Sequence, residues 1–182
     1  YLADQLTLRK VWSGGRKSLF RRQSWERPER GLYLWGGVGR GKTFLMDLFA
    51  DSLPEGTVIR LHFHRFMNKV HERLRELQGN ENPLEMVADQ LAHGGKVLCL
   101  DECFVSDITD AMVLGSVFDA LFRRGMALVT TSNIEPRNLY EGGLQRDRFM
   151  PAISLIEKHC EIFNLDSGTN YRLRTLKHKL SL

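Results

Sequence analysis

The sequence predicts an α/β fold, a five-stranded parallel sheet with helices on both faces. Short apolar or β-branched runs recur at 31–35, 57–64, 96–101, 126–131 and 160–165, each bounded by turn or polar residues. Segments of helical period alternate with them, at 42–52, 66–78, 83–92, 107–124 and 148–159. A glycine-rich loop joins the first strand to the first helix. Parallel strands need crossover connections that bury both faces of the sheet, so this alternation reads as βα units in series.

The first run, Gly31-Leu32-Tyr33-Leu34-Trp35, is apolar enough for a central strand. The loop after it, Gly36-Gly37-Val38-Gly39-Arg40-Gly41-Lys42-Thr43, fits G-x-x-x-x-G-K-[ST] without mismatch. Glycines let the backbone wrap tightly, its N–H groups converge on an anion, and the next helix points its positive end at the same place. Phosphate is the matching ligand. Lys42 is placed to reach the β- and γ-phosphates of ATP, and the Thr43 hydroxyl to ligate Mg²⁺. Helix 42–52 follows directly.

Strand 57–64 comes next. Helix 66–78 sets Phe66, Met67, Val70, Leu74 and Leu77 on one face. Pro83 suits the first turn of helix 83–92. Strand 96–101 ends in Asp101-Glu102. Helix 107–124 carries a stripe of Ile108, Ala111, Met112, Gly115, Phe118, Leu121 and Phe122, and Gly125 marks its stop. Strand 126–131 runs into Ser132-Asn133, and helix 148–159 leads to the last strand.

The chain has 182 residues, 42% hydrophobic and 26% charged, which suits one globular domain with a real core. We divide it into a basic segment 1–30, a core 31–170 and a tail 171–182. The start, Tyr1-Leu2-Ala3-Asp4-Gln5, has no signal-peptide pattern and no initiator Met, so the chain reads as part of a longer protein. No apolar run approaches the ~20 residues of a membrane span. Three cysteines and no CxxC pair argue against a disulfide framework and for a reducing compartment, so a cytoplasmic location is expected. His62 and His64 would share a strand face, but no further ligand is spaced to make a metal site with them. The net charge of +4 permits an acidic partner, including nucleic acid. Arg9, Lys10, Arg16, Lys17, Arg21 and Arg22 cluster near the start, and Arg172, Arg174, Lys177 and Lys179 near the end.

Acids at a strand tip about sixty residues after a phosphate loop, with one βα unit between, complete a nucleotide site. Asp101 is expected to hold Mg²⁺ through water and Glu102 to act as general base on the attacking water. Asn133, past the fourth strand, fits a residue that senses the γ-phosphate and orients water. Arg146 and Arg148 are candidates for an arginine finger supplied to a neighbouring molecule.

Several segments together resemble the ZapE family, bacterial cell-division ATPases of the AAA+ class with mitochondrial relatives linked to protein quality control. They are residues 32–43, Leu61-His62-Phe63-His64-Arg65-Phe66-Met67, Phe104 through Met112, Thr131-Ser132-Asn133, Gly143-Leu144-Gln145-Arg146 with Arg148-Phe149, and Tyr171-Arg172-Leu173-Arg174. The resemblance covers roughly residues 31–176. It implies a P-loop NTPase of AAA+ type that hydrolyses ATP and associates with the division protein FtsZ. It further implies Asn133 as first sensor, Arg146 or Arg148 as finger, and self-association through that arginine. By analogy, His64 near the end of the second strand is a candidate to switch Glu102 on and off. Cys103 departs from the aromatic common in the family at that place. The helical lid that normally follows, with its second sensor arginine, is not expected within these residues. An ATP-switched nucleic-acid binding module of the helicase-loader kind is the alternative, and a small-molecule phosphotransferase a third reading that the acid pair and Asn133 disfavour.

Overall fold

The computed structural model describes residues 30–166. The basic clusters near both ends and the Tyr171-Arg172-Leu173-Arg174 motif lie outside the described residues. Within them run β1 (Gly31–Trp35), α1 (Lys42–Asp51), β2 (Val58–His62), α2 (Phe63–Glu76) and α3 (Pro83–Gly94). Then come β3 (Val97–Asp101), α4 (Ile108–Arg123), β4 (Ala127–Ser132), α5 (Met150–His159) and β5 (Cys160–Asn164). The strands form one sheet in the order β2-β3-β4-β1-β5, and every adjacent pair is parallel. The expected five-stranded parallel sheet is therefore present. Its order has one consequence for the site: β4 lies between β1, which leads into the glycine loop, and β3, which ends in the acids.

Strand side chains alternate in direction, so each strand serves two layers. Tyr33, Leu98, Leu100 and Leu128 pack with Phe66, Leu114, Phe118 and Ile153 from α2, α4 and α5. Val97, Cys99 and Val129 point the other way, against Met46 and Phe49 of α1. Helices thus cover both faces, but unevenly; among the described residues α1 alone covers the second. Each fully buried Leu, Val or Phe contributes about 1.5–3 kcal/mol, so the larger layer dominates the driving force. A Cβ on Gly31 would come within 1.8 Å of the Leu128 carbonyl oxygen, which explains glycine where β1 enters between its neighbours. The Tyr33 phenol is buried and donates to the Ile134 carbonyl at 2.8 Å, fixing the chain just past β4.

Two expectations need correction. The second strand is shorter than 57–64, because α2 starts at Phe63 with no loop between. Phe63, Phe66, Met67 and Val70 stand at i, i+3, i+4 and i+7, and all four are buried. That helical stripe begins one turn earlier than expected and takes Phe63 and His64 out of the strand. His62 and His64 therefore share no strand face. The stripe on α4 is also wider than expected. Leu114, Val117 and Ala120 are buried along with Ala111, Phe118, Leu121 and Phe122, while Ile108, Met112 and Gly115 are half-buried, because α4 packs between α3 and α5.

Cys99, Cys103 and Cys160 are free and buried. Burial pushes each thiol up to about 12. We expect no alkylation of these three by iodoacetamide at neutral pH until denaturant is added, since the thiolate is the reactive form. Mass spectrometry of native protein showing any of the three modified would contradict the packing described.

Candidate active site

The glycine loop follows from its residue types. Gly39 and Gly41 take φ of 78° and 82°, a region L side chains rarely adopt. Gly41 is the N-cap of α1 and offers no side-chain cap. The first-turn amides of α1 thus have no intrahelical acceptor and point, with the helix dipole, at the space above the loop. Val38 at the loop tip is 88% exposed. The Lys42 ammonium folds back to donate to the carbonyls of Gly36 and Gly37 at 2.6 and 2.7 Å. Its burial there lowers its pKa below the ordinary lysine value, an effect the nearby Asp166 carboxylate partly offsets.

Asp166 joins the loop as well. One of its carboxylate oxygens accepts the Gly37 N–H at 2.8 Å, and the other pairs with Arg40 Nε at 2.6 Å. This clasp ties the chain just past β5 to the glycine loop. A lone acid after a strand carries no distinguishing pattern, so sequence reasoning misses it.

Asp101, the last residue of β3, is buried. One carboxylate oxygen accepts the Thr131 hydroxyl at 3.0 Å and the other pairs with the Arg60 guanidinium at 2.8 Å. The same guanidinium also pairs with Asp47. Asp47 lies one turn beyond Thr43 on α1, so a single side chain spans from the first turns of α1 to the tip of β3. Asp101 and Asp47 together hold the Arg60 pKa above its usual value. Carboxylate oxygens carry two lone pairs each, so Asp101 keeps acceptor capacity after these two bonds. Its carboxylate and the exposed Thr43 hydroxyl are hard oxygen donors of the kind Mg²⁺ takes.

Glu102 differs from its neighbour. Its side chain is 79% exposed, and its backbone has φ 57°, left-handed for a residue with a Cβ. Such a conformation costs about 1–3 kcal/mol and persists only where the surroundings over-determine it. Thr131 supplies the restraint from β4. Its hydroxyl oxygen accepts the Glu102 N–H at 3.0 Å, and its carbonyl accepts the Cys103 N–H at 2.7 Å. Next along, Ser132 donates to the Cys103 carbonyl at 2.7 Å. Sequence reasoning misses Thr131, although a signal exists: Thr130-Thr131-Ser132 closes the strand with three hydroxyls, and the middle one shares a face with Asp101.

The residue beside Glu102 is His62, not His64. His62 Nδ1 lies 3.9 Å from a Glu102 carboxylate oxygen, while His64 is exposed on α2. Asn133 is exposed past the end of β4 and makes no hydrogen bond to either acid. It lines an open cleft of about 640 Å³ with Trp35, Phe104 and Tyr140. The two arginines differ. Arg146 donates to the Arg137 carbonyl and to Met150 Sδ, and its Nε is buried without a partner. Arg148 is exposed, and its side chain makes no hydrogen bond or ion pair among the described residues. Described residues include no helix long and apolar enough to cross a membrane.

The chain matches the family described as AFG1-like ATPase over residues 2–181. It is 62% identical over 149 residues to the cell division protein ZapE of Escherichia coli strain K12, an alignment covering 82% of this chain and 40% of that protein. The chain thus spans less than half the length of that relative. Its fold is similar to AMPPCP-bound DnaA from Aquifex aeolicus, with a TM-score of 0.57 at 18% identity over 84% of this chain and 45% of that one. The DnaC helicase loader superposes with a TM-score of 0.53 at 18% identity over 76% of this chain and 80% of its own. At such identities the likeness is one of fold, that of P-loop NTPases.

Proposed function

The chain belongs to the AFG1-like ATPase family, and on that premise we propose that it binds ATP with Mg²⁺, hydrolyses it to ADP and phosphate, and acts in cell division by associating with FtsZ at the division ring. One observation carries the chemical part. A glycine loop opening a helix and a buried strand-tip acid stand at the same end of one parallel sheet, on the two strands that flank β4, with an exposed glutamate immediately after the acid. The E. coli relative's name supports the cell-division part, and the family resemblance supports FtsZ.

The loop amides and Lys42 bind the phosphates. Lys42 exchanges two loop carbonyls for phosphate oxygens, keeping its ammonium satisfied in both states. Thr43 and Asp101 would hold Mg²⁺, which would supply positive charge against the charge developing on the phosphates. Glu102, in solvent contact, takes the proton from the attacking water. Asn133 orients that water, and Arg148 of a neighbouring copy stabilises the charge on the transferred phosphoryl group. His62 modulates Glu102.

Replacing Lys42 with Ala is expected to weaken binding of a fluorescent ATP analogue by about 100-fold, the worth of charge-assisted bonds to phosphate. Equal affinity in parent and variant would remove the phosphate-loop assignment. The function as a whole is tested by ATP turnover across a protein concentration series, with and without purified FtsZ polymers. Turnover should rise with concentration, through self-association, and rise again with polymer. A rate indifferent to FtsZ at every concentration leaves the ATPase reading but ends the FtsZ one.

A further inference from the structure

We propose that Thr131 is the positioning residue of the acid pair, a role resting on the ATPase reading above. Three contacts from this one buried residue reach three successive residues of the β3 tip. The hydroxyl donates to the Asp101 carboxylate at 3.0 Å. The same oxygen accepts the Glu102 N–H at 3.0 Å. The Thr131 carbonyl accepts the Cys103 N–H at 2.7 Å. A hydroxyl is suited to this because it donates and accepts at once; a carboxylate or an ammonium can do only one of the two.

The consequence is directional. Peptide bonds on both sides of Glu102 are pinned to Thr131, and between them Glu102 sits at φ 57°. Released from the hydroxyl, the residue has no reason to keep a conformation that glycine alone adopts freely. Its carboxylate would then leave the line toward the γ-phosphate. Asp101 would lose one of its two orienting bonds and keep only Arg60. Thr131 therefore acts through the acids, without touching nucleotide or water itself. Neighbouring hydroxyls do different work. Thr130 donates to the Leu100 carbonyl at 2.9 Å, from the opposite face of the strand, and Ser132 to the Cys103 carbonyl.

Thr131→Val keeps the shape and removes both hydroxyl bonds; Thr131→Ser keeps the hydroxyl and removes the methyl. Three readouts are compared with the parent: kcat, affinity for fluorescent ADP in EDTA, and the gain in that affinity on adding Mg²⁺. For Thr131→Val we expect kcat to fall about tenfold, as for one lost positioning contact. The Mg²⁺-dependent gain should fall about fivefold and the metal-free affinity should stay within about twofold. Thr131→Ser should hold all three within about twofold. Thr131→Val with parental kcat and parental Mg²⁺ gain overturns the proposal. So does a Thr131→Ser as impaired as Thr131→Val, which would place the effect in packing, or a parallel loss of metal-free affinity, which would place it in the fold. If Thr131→Val does not fold, Thr131→Ala is compared with Thr131→Ser, and equal kcat in those two overturns it. A parent that turns over no ATP defeats the ATPase reading and this one with it; an active parent beside an unaffected Thr131→Val defeats this one alone.

Discussion

Glu102→Gln is expected to lower ATP turnover by about a thousandfold while ATP stays bound, the middle of the range for loss of a general base. The amide has the carboxylate's size but cannot accept the water's proton. The side chain is 79% exposed, so no core contact changes. The backbone bonds that hold residue 102 come from Thr131 and involve no Glu102 side-chain atom, so glutamine inherits the same left-handed φ at the same cost. The His62 contact, at 3.9 Å, is long and solvent-screened. Removing it adds little. Binding and chemistry therefore separate cleanly. The variant should elute from a desalting column with ATP still attached, where the parent elutes with ADP. Phosphate release by Glu102→Gln at the parental rate would show that another group activates the water.

Arg148→Ala is expected to cost about a thousandfold in turnover with nucleotide affinity unchanged, the lower bound for an arginine finger. Its neighbour Arg146 makes the contrast. Arg146 is bonded to the Arg137 carbonyl and Met150; its removal should cost stability, about 1 kcal/mol for the lost bond. Arg148 leaves the same short turn with nothing holding its side chain among the described residues, so its guanidinium is free to enter a site on another molecule. A mixing experiment distinguishes a finger given across an interface from a residue serving its own site. Lys42→Ala protein, with its affinity lowered about 100-fold, stays unloaded at limiting ATP, and Arg148→Ala protein lacks the arginine. Together, the first supplies its arginine to the intact site of the second. The mixture should turn over ATP faster than either alone. No recovery at any ratio would take Arg148 out of this role.

Much of this architecture is legible in the residues alone, for physical reasons. β1 has its expected bounds because an apolar run meets a glycine loop, and the positive φ angles of that loop end the strand. Asp101 is legible because a carboxylate closing an apolar strand is costly to bury unless a cation stands near it. The start of α2 is not legible, because Leu61-His62-Phe63-His64 alternates as a strand while Phe63-Phe66-Met67-Val70 repeats as a helix. Burial of Phe63 decides it, and with it which histidine stands beside Glu102. Arg60 escapes notice because an arginine in a strand is ordinarily solvated, and only the fold brings Asp47 and Asp101 to it from two other elements. Thr131 is overshadowed by Asn133, since an asparagine past a strand end suggests a polar contact more readily than a hydroxyl within the strand. The strand period of two, applied to β3 and β4 side by side, puts Thr131 and Asp101 on one face.

At the rim of the sheet, β2 is bonded among the described residues on one side only, to β3, so it can slide while breaking a single ladder. It nevertheless carries both Arg60, on Asp101, and His62, near Glu102. Slippage by one residue would turn the two away together, since a strand's side chains change sides with every step. One of the sheet's two edge strands thus holds the outward partners of both acids, and a force applied along that rim would reach Asp101 and Glu102 without passing through the core.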